Sequence, residues 1–336
     1  MNTTYDIDPT WPKELPSEWV LGQIGSVSLD AEDNLVVLNR GDITDEEAEV
    51  GVNAPPVIVF DRHGSVIHAW GDREILPIKL HGSFVDHERC VWVTGMHDGI
   101  VQKYSWEGEL LLQVGTRGLF DTTDGSIDGD ALNSASDRFF KPSGVVVDEV
   151  SGEVFVSDGY GNRRVVVLDA EGRFLRQWGR QATMEEARSG YPGVFARVVH
   201  GIALSRDRLV YVCDRQGDRI QVFHRDGTFV RNIWVRTGTD ELPDARGTAW
   251  WVDFSPDAEQ RLLFVMDGRN EHVRILDHAT GQILSSFGRP GHQLGAFTHG
   301  HTLAVDSGCA VYVGETNWGR RIQRFVPGRP QVKGGN

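Results

Sequence analysis

Three histidines far apart in the chain, His81, His200 and His301, hold the types and spacing most able to do chemistry together. Each opens a short apolar run of the same form: His81-Gly82-Ser83-Phe84-Val85, His200-Gly201-Ile202-Ala203-Leu204 and His301-Thr302-Leu303-Ala304-Val305. The chain has 12 histidines, so one alone would carry no argument. These three share one column of a repeat, whose other members are Gly25, Ser143 and Trp250, so that histidine falls on alternate units. In units ringed about an axis, alternate members stand about 120° apart, and the three imidazoles would converge on the central channel. Three neutral ring nitrogens with one open position are the ligand set of a catalytic metal site. Imidazole ligands favour zinc, and other divalent transition metals also accept them.

The repeat that must position these residues is clearest in its third copy. Ser143-Gly144-Val145-Val146-Val147-Asp148, Val154-Phe155-Val156-Ser157-Asp158, Arg164-Val165-Val166-Val167-Leu168-Asp169 and Arg173-Phe174-Leu175-Arg176-Gln177-Trp178-Gly179 are β-rich runs split by Asp and Gly turns. They read as a four-stranded meander. The pattern starts near Ser26, His81, Ser143, His200, Trp250 and His301, at a spacing of roughly 50 to 60 residues. Tails such as Trp70-Gly71, Val114-Gly115, Trp178-Gly179 and Phe287-Gly288 recur with it, and the 39 Gly and 10 Trp fit such an array. The spacing predicts an all-β chain, a six-bladed β-propeller closed into a ring without free edges. One domain is expected over residues 15–327, between flexible segments at 1–14 and 328–336. The sixth unit reaches Phe325 without a fourth strand, and the stretch around Glu18-Trp19-Val20-Leu21 is expected to supply it. Inserts at 41–56, 116–141, 180–198 and 236–248 read as surface loops, which at one end of a propeller commonly build its binding site.

A second column ends the second strand of each unit and holds Arg40, Gly95, Asp158, Asp214, Asp267 and Glu315. Its acids read as structural groups that accept backbone N–H bonds in the following turn. Arg40 breaks the column, Tyr160 follows Asp158 by two and Arg215 follows Asp214 by one. These strand ends should face the same mouth as the histidines. Trp250 and Trp251 read either as packing between blades or, for Trp250, as a wall for an aromatic substrate. Asp98 reads as a turn residue.

The net charge of −14, from 34 basic and 48 acidic side chains, argues against nucleic acid or an anionic membrane surface as partner. A small-molecule substrate fits better, and nothing signals an oligomeric state. Cys90, Cys213 and Cys309 are too few and too scattered for a disulfide framework. The N-terminus has no basic-then-apolar leader and no apolar run is long enough to span a bilayer, so a cytoplasmic protein is expected.

At these residues the sequence resembles the peptidyl-α-hydroxyglycine α-amidating lyases, within the wider NHL-repeat propellers. Leu21-Gly22-Gln23-Ile24-Gly25-Ser26-Val27-Ser28-Leu29-Asp30 with Asn34-Leu35-Val36-Val37-Leu38-Asn39-Arg40-Gly41-Asp42 is very similar to that lyase's opening blade. Ser157-Asp158-Gly159-Tyr160-Gly161-Asn162-Arg163-Arg164-Val165 and Asp214-Arg215-Gln216-Gly217-Asp218-Arg219-Ile220-Gln221 resemble its third and fourth. The similarity runs from about residue 16 to 326. It implies zinc on His81, His200 and His301, a catalytic tyrosine at Tyr160 and active-site arginines at Arg40 and Arg215. The implied reaction splits the C–N bond of an N-acyl α-hydroxyglycine, leaving a primary amide and glyoxylate. A nearby guanidinium favours an ionised phenol, so either arginine could tune Tyr160 while the other holds the substrate. The family's structural calcium would use backbone carbonyls near Val27 and Ser83, but the carboxylate expected after the third histidine is Thr302 here. His299 replaces a family methionine and would touch the pocket, and His97 matches a family position without an evident role. Gly161 stands where the family has a disulfide cysteine, in keeping with a cytoplasmic protein. Two other readings compete: a metal-dependent hydrolase of lactonase or amidase type on the same propeller, and a non-enzymatic NHL interaction module.

Overall fold

The structure is a computed structural model and describes residues 4–16, 18–235 and 246–328; most of the expected insert at 236–248 lies outside the described residues. Six four-stranded antiparallel sheets follow one another around a ring. Their inner strands are Ile24–Leu29, Leu80–Val85, Pro142–Val147, Val199–Leu204, Ala249–Phe254 and Gly300–Val305, and these define blades 1 to 6. The inner three strands of a blade are runs of Val, Ile, Leu and Phe buried on both faces, as in Val154–Asp158 and Arg164–Leu168. The outermost strands alternate with solvent, as in Ile283–Phe287. Six apolar clusters fill the ring, one between each pair of neighbouring blades: Trp92, Val101, Val145 and Val156 between blades 2 and 3, for example, and Tyr211, Ile220, Val252 and Leu263 between blades 4 and 5. Burial of that surface is the main force closing the ring.

Two expectations for the termini are corrected. Tyr5–Ile7, not the stretch around Trp19, is the fourth strand of blade 6, pairing antiparallel with Phe325–Pro327. Trp19–Val20 instead forms a two-stranded parallel ribbon with Val52–Asn53. The N-terminal segment is therefore bound over its described residues rather than flexible. Trp11 is 5% exposed and lies 5.5 Å from the Phe60 ring of blade 1 and 5.0 Å from the Tyr312 ring of blade 6, plugging the seam where the ring closes. Gly328 still donates to the Thr4 carbonyl, and 329–336 lie outside the described residues.

The acidic column is structural: Asp267 accepts from the Asn270 amide in the following turn as expected, but the main partners of the column are others. Asp158, Asp214, Asp267 and Glu315 each pair with an arginine of the third strand of the blade or, for Arg321, just before it: Arg164, Arg219, Arg274 and Arg321, at 2.6 to 3.0 Å. Three of them also accept a backbone N–H from the segment leading into the inner strand: Phe140 on Asp158, Ala196 on Asp214 and Thr298 on Glu315. Each such carboxylate fastens the lead-in loop to the blade, which is how the mouth of the propeller is shaped.

In every blade the inner strand carries one extra residue near its start, a β-bulge. The pairing steps from Leu80↔Gly95 to Gly82↔Thr94 in blade 2 and from Gly300↔Glu315 to Thr302↔Gly314 in blade 6, leaving His81 and His301 outside the ladder. Blades 1, 3, 4 and 5 shift at Ile24/Ser26, Pro142/Gly144, Val199/Ile202 and Ala249/Trp251. The column read from the sequence is therefore a column of bulges, and a bulge re-aims the side chain it carries.

Two outcomes follow. Trp11→Ala should cost about 3–5 kcal/mol of stability, read by denaturant unfolding, because it empties the seam; a loss below about 1 kcal/mol would show that the segment is dispensable. At the other end of the channel Asp253 accepts from the Phe254 and Val305 amides, and burial pushes its carboxyl up to about 6. An unfolded aspartate ionises near roughly 3.9, so the stability contributed by the protonated group is full below that pH and is lost as pH rises through 6. Asp253→Asn should flatten the fall in Tm between pH 4 and 7; an unchanged slope would count against it.

Candidate metal centre and active site

The bulges bring the three histidines to one point. The side-chain nitrogens of His81, His200 and His301 lie within 4.8 Å of one another, all buried. His81 and His301 face each other Nε2 to Nε2 at 3.2 Å. Outward, His81 Nδ1 lies 2.6 Å from the Ser143 carbonyl and His200 Nδ1 lies 2.7 Å from the Trp250 carbonyl. Those carbonyls belong to the bulges of the next blades around the ring. Each can only accept, so Nδ1 carries the proton and the Nε2 lone pair points to the axis. His301 Nδ1 has no such partner among the described residues.

Burial, then the Arg40 charge, holds His81 well below the usual imidazole range. Burial and the neighbouring rings do the same for His200 and His301. The Nε2 lone pairs of His81 and His200 are free for a cation, and His301, whose Nδ1 no carbonyl holds, can present its Nε2 to the same point. Backbone carbonyls behind Nδ1 are also the usual support of metal-bound imidazole. The residues present fit a metal held by three histidines.

The rim residues expected from the sequence come to the same mouth. The Tyr160 hydroxyl lies 3.2 Å from His81 Nε2, 3.0 Å from His200 Nε2 and 3.1 Å from Arg215 NH1. Arg163 fixes the turn that carries Tyr160, donating from one nitrogen to the Gly159, Gly161 and Asn162 carbonyls. The Arg215 guanidinium lies 4.5 Å from the Trp250 ring centre. Arg40 donates to the Leu80 carbonyl at 2.7 Å, to Gln23 Oε1 at 3.1 Å and to Thr316 Oγ1 at 2.8 Å. All three partners are neutral, and burial lowers the Arg40 pKa. A cavity of about 280 Å³ opens over this set, and Tyr160, Arg40, Arg215, Trp250, His299 and His301 are among its walls.

Other expectations fare unevenly. Trp250 joins the readings offered for it, being 5% exposed yet lining the cavity, while Trp251 is core. His299 lines the cavity beside Arg246 but stands outside the nitrogen cluster. His97 is exposed and does not line the cavity. Val27 and Ser83 line a separate cavity of about 450 Å³ at the far end of the channel. There Ser83 Oγ bonds Ser28 Oγ at 2.9 Å; Thr302, which does not line that cavity, has its Oγ1 buried without a partner among the described residues. Two backbone positions and one hydroxyl, without the carboxylate, do not fit the calcium that the resemblance implied. Sequence reasoning missed Lys79, Arg246, Thr316 and Asn317, which also line the upper cavity, because loop positions carry no repeat signal.

The fold and site together define a six-bladed propeller with a three-histidine centre at its axis. The chain belongs to the NHL-repeat propeller family that includes NHL repeat-containing protein 3 and the amidating lyases. It is 30% identical to NHL repeat-containing protein 3 of Mus musculus, over 96% of this chain and 84% of that protein. It is 28% identical to peptidyl-alpha-hydroxyglycine alpha-amidating lyase 1 of Drosophila melanogaster, over 97% of this chain and 60% of that protein. Against peptidyl-glycine alpha-amidating monooxygenase B of Xenopus laevis identity is 28% over 93% of this chain, which spans about a third (34%) of that protein. No family profile matches. Among solved structures, a streptogramin B lyase (TM-score 0.55, 10% identity, 90% of this chain and 93% of that one) and a gluconolactonase of Xanthomonas campestris (TM-score 0.56, 16% identity, 91% and 86%) share the fold. No helix among the described residues is long and apolar enough to cross a membrane.

The metal test is direct. Purified protein should carry about one divalent transition metal per chain by elemental mass spectrometry, and His81→Ala with His200→Ala should lose it while keeping the β-rich circular dichroism spectrum. Metal retained in the double variant would place it elsewhere.

Proposed function

We propose that this protein is a metal-dependent carbon–nitrogen lyase that cleaves an N-acyl α-hydroxyglycine, or a related carbinolamide, to an amide and glyoxylate or another aldehyde. The observation that carries the reading is the Tyr160 hydroxyl, within hydrogen-bond distance of two of the three histidines and of Arg215 at once. The lyases among its relatives support it. A divalent metal on His81, His200 and His301, zinc by the preference of imidazole, would supply Lewis acidity towards the substrate hydroxyl.

The chain's own residues do the rest. Tyr160, acting as the phenolate, takes the proton of the substrate hydroxyl as general base. The electron pair left on that oxygen forms the new C=O bond, and the C–N bond breaks with its pair moving to nitrogen. Tyr160 returns the proton there, so the amide leaves neutral and no water is consumed. Arg215, on the phenol oxygen, places a cation where negative charge sits while the proton is away. Arg40, a half-buried guanidinium with only neutral hydrogen-bond partners, receives the substrate carboxylate. Trp250 shields the Arg215 side of the cavity from water. Three unpaired cysteines support a cytoplasmic setting.

Glyoxylate release from N-acyl α-hydroxyglycines tests the reading. Tyr160→Phe should lower kcat by about a hundred- to ten-thousandfold with metal content unchanged, and Arg40→Ala should act mainly on KM. Reaction in ¹⁸O-water separates this chemistry from the hydrolase alternative: the lyase's amide carries no solvent oxygen, whereas label in a new carboxylate would mark hydrolysis.

A further inference from the structure

The mouth carries an aromatic surface that runs from Trp250 outward, beyond the groups used in cleavage. Trp250 forms its floor and His299 stands edge-on to it at 6.2 Å between ring centres. Trp318 lies edge-on to His299 at 5.5 Å and is 76% exposed. Three rings thus step outward from the cavity floor to the rim.

The arrangement is held rather than loose. His299 adopts a left-handed backbone conformation, φ 69°, and its carbonyl accepts from the Thr316 amide at 3.0 Å. That bond joins the turn bearing Trp318 to the strand bearing His301. The same turn is closed by the Gly319 amide on the Thr316 carbonyl, and the Thr316 hydroxyl is tied to Arg40. A large indole fixed at a cavity rim and left mostly in water is a surface waiting for an apolar partner. What fits beside it must reach from the reacting centre near Tyr160 and Arg40 to Trp318, and must be flat. The cavity of about 280 Å³ is walled by Trp250, His299 and Asn317, and Trp318 follows Asn317 just outside that wall, so a group leaving the cavity on this side meets the indole.

We propose that Trp318, with His299 and Trp250, forms an acyl subsite that selects substrates whose N-acyl group is aromatic. The inference rests on the lyase reading for its reaction but not for its binding. Trp318 touches none of the reacting groups and acts as a specificity-determining residue.

The test compares N-benzoyl- with N-acetyl-α-hydroxyglycine as the ratio of kcat/KM. Trp318→Ala should lower that ratio by about two- to tenfold, the range of one aromatic pair, and Trp318→Phe should restore most of it. A purely structural role would move both substrates together, so an unmoved ratio overturns the proposal. A second arm uses benzoylglycine and acetylglycine, which lack the hydroxyl and cannot be cleaved, in titration calorimetry. Tighter binding of benzoylglycine by the wild type, lost in Trp318→Ala, supports the subsite. Equal binding, or none of benzoylglycine, overturns it. If neither hydroxylated substrate releases glyoxylate, the lyase reading fails, and calorimetry alone decides the subsite.

Discussion

One extra residue near the start of each inner strand is the constraint on which the site depends. A regular ladder would engage the backbone at the column positions and turn their side chains with the sheet. The bulge frees carbonyls there, and these stitch the blades together around the axis. Arg40 of blade 1 donates to Leu80 of blade 2, His81 to Ser143 of blade 3, Ser143 Oγ to the His200 carbonyl of blade 4, and His200 to Trp250 of blade 5. The groups that aim the imidazoles are thus the groups that set blade spacing. Close approach is required for this: a Cβ on Gly82 would lie 2.5 Å from the Ser143 carbonyl oxygen, and one on Gly201 would lie 2.8 Å from that of Trp250. Side chains there would push the ring open and pull the imidazoles apart.

Electrostatics work in the same direction. The protein as a whole is strongly acidic, yet Arg40, Lys79, Arg215 and Arg246 all line the upper cavity. An anionic ligand would be repelled by the general surface and drawn to this mouth. Arg40 and Arg215, added to burial, hold all three imidazoles well below their usual range, and an uncharged imidazole is the state a metal needs. Glu271 faces Arg246 at 3.7 Å, while the acids at the ends of the second strands of blades 3 and 4 are engaged elsewhere. Asp158 and Asp214 are buried against Arg164 and Arg219, where they brace the blades.

The ring and its centre were legible because repetition magnifies weak signals. A lone His81 says nothing, whereas histidine at the same place in three of six units specifies both a geometry and a partner set. Arg40, Tyr160 and Arg215 were legible as departures at the ends of second strands. The closing strand was not, because Tyr5–Ile7 is three residues long and lies outside the rhythm of the repeat. Trp19 was the more conspicuous candidate, but its segment is used in a ribbon with Val52–Asn53. The bulges were invisible too, since an inserted residue shared by all six units leaves their spacing unchanged. Arg246 and Trp318 sit in connections, where no periodicity marks a position and only packing reveals what a side chain faces.

Because the first described strand completes the last blade, Thr4 and Gly328 end up hydrogen-bonded side by side. The order in which the blades are strung is then a matter of covalent bookkeeping rather than of architecture. A circular permutant that joins these ends through a short linker and opens at a turn between outer strands, such as Glu107–Gly108, would keep six blades closed about the same axial centre. The mouth belongs to the closed ring, not to any stretch of chain within it.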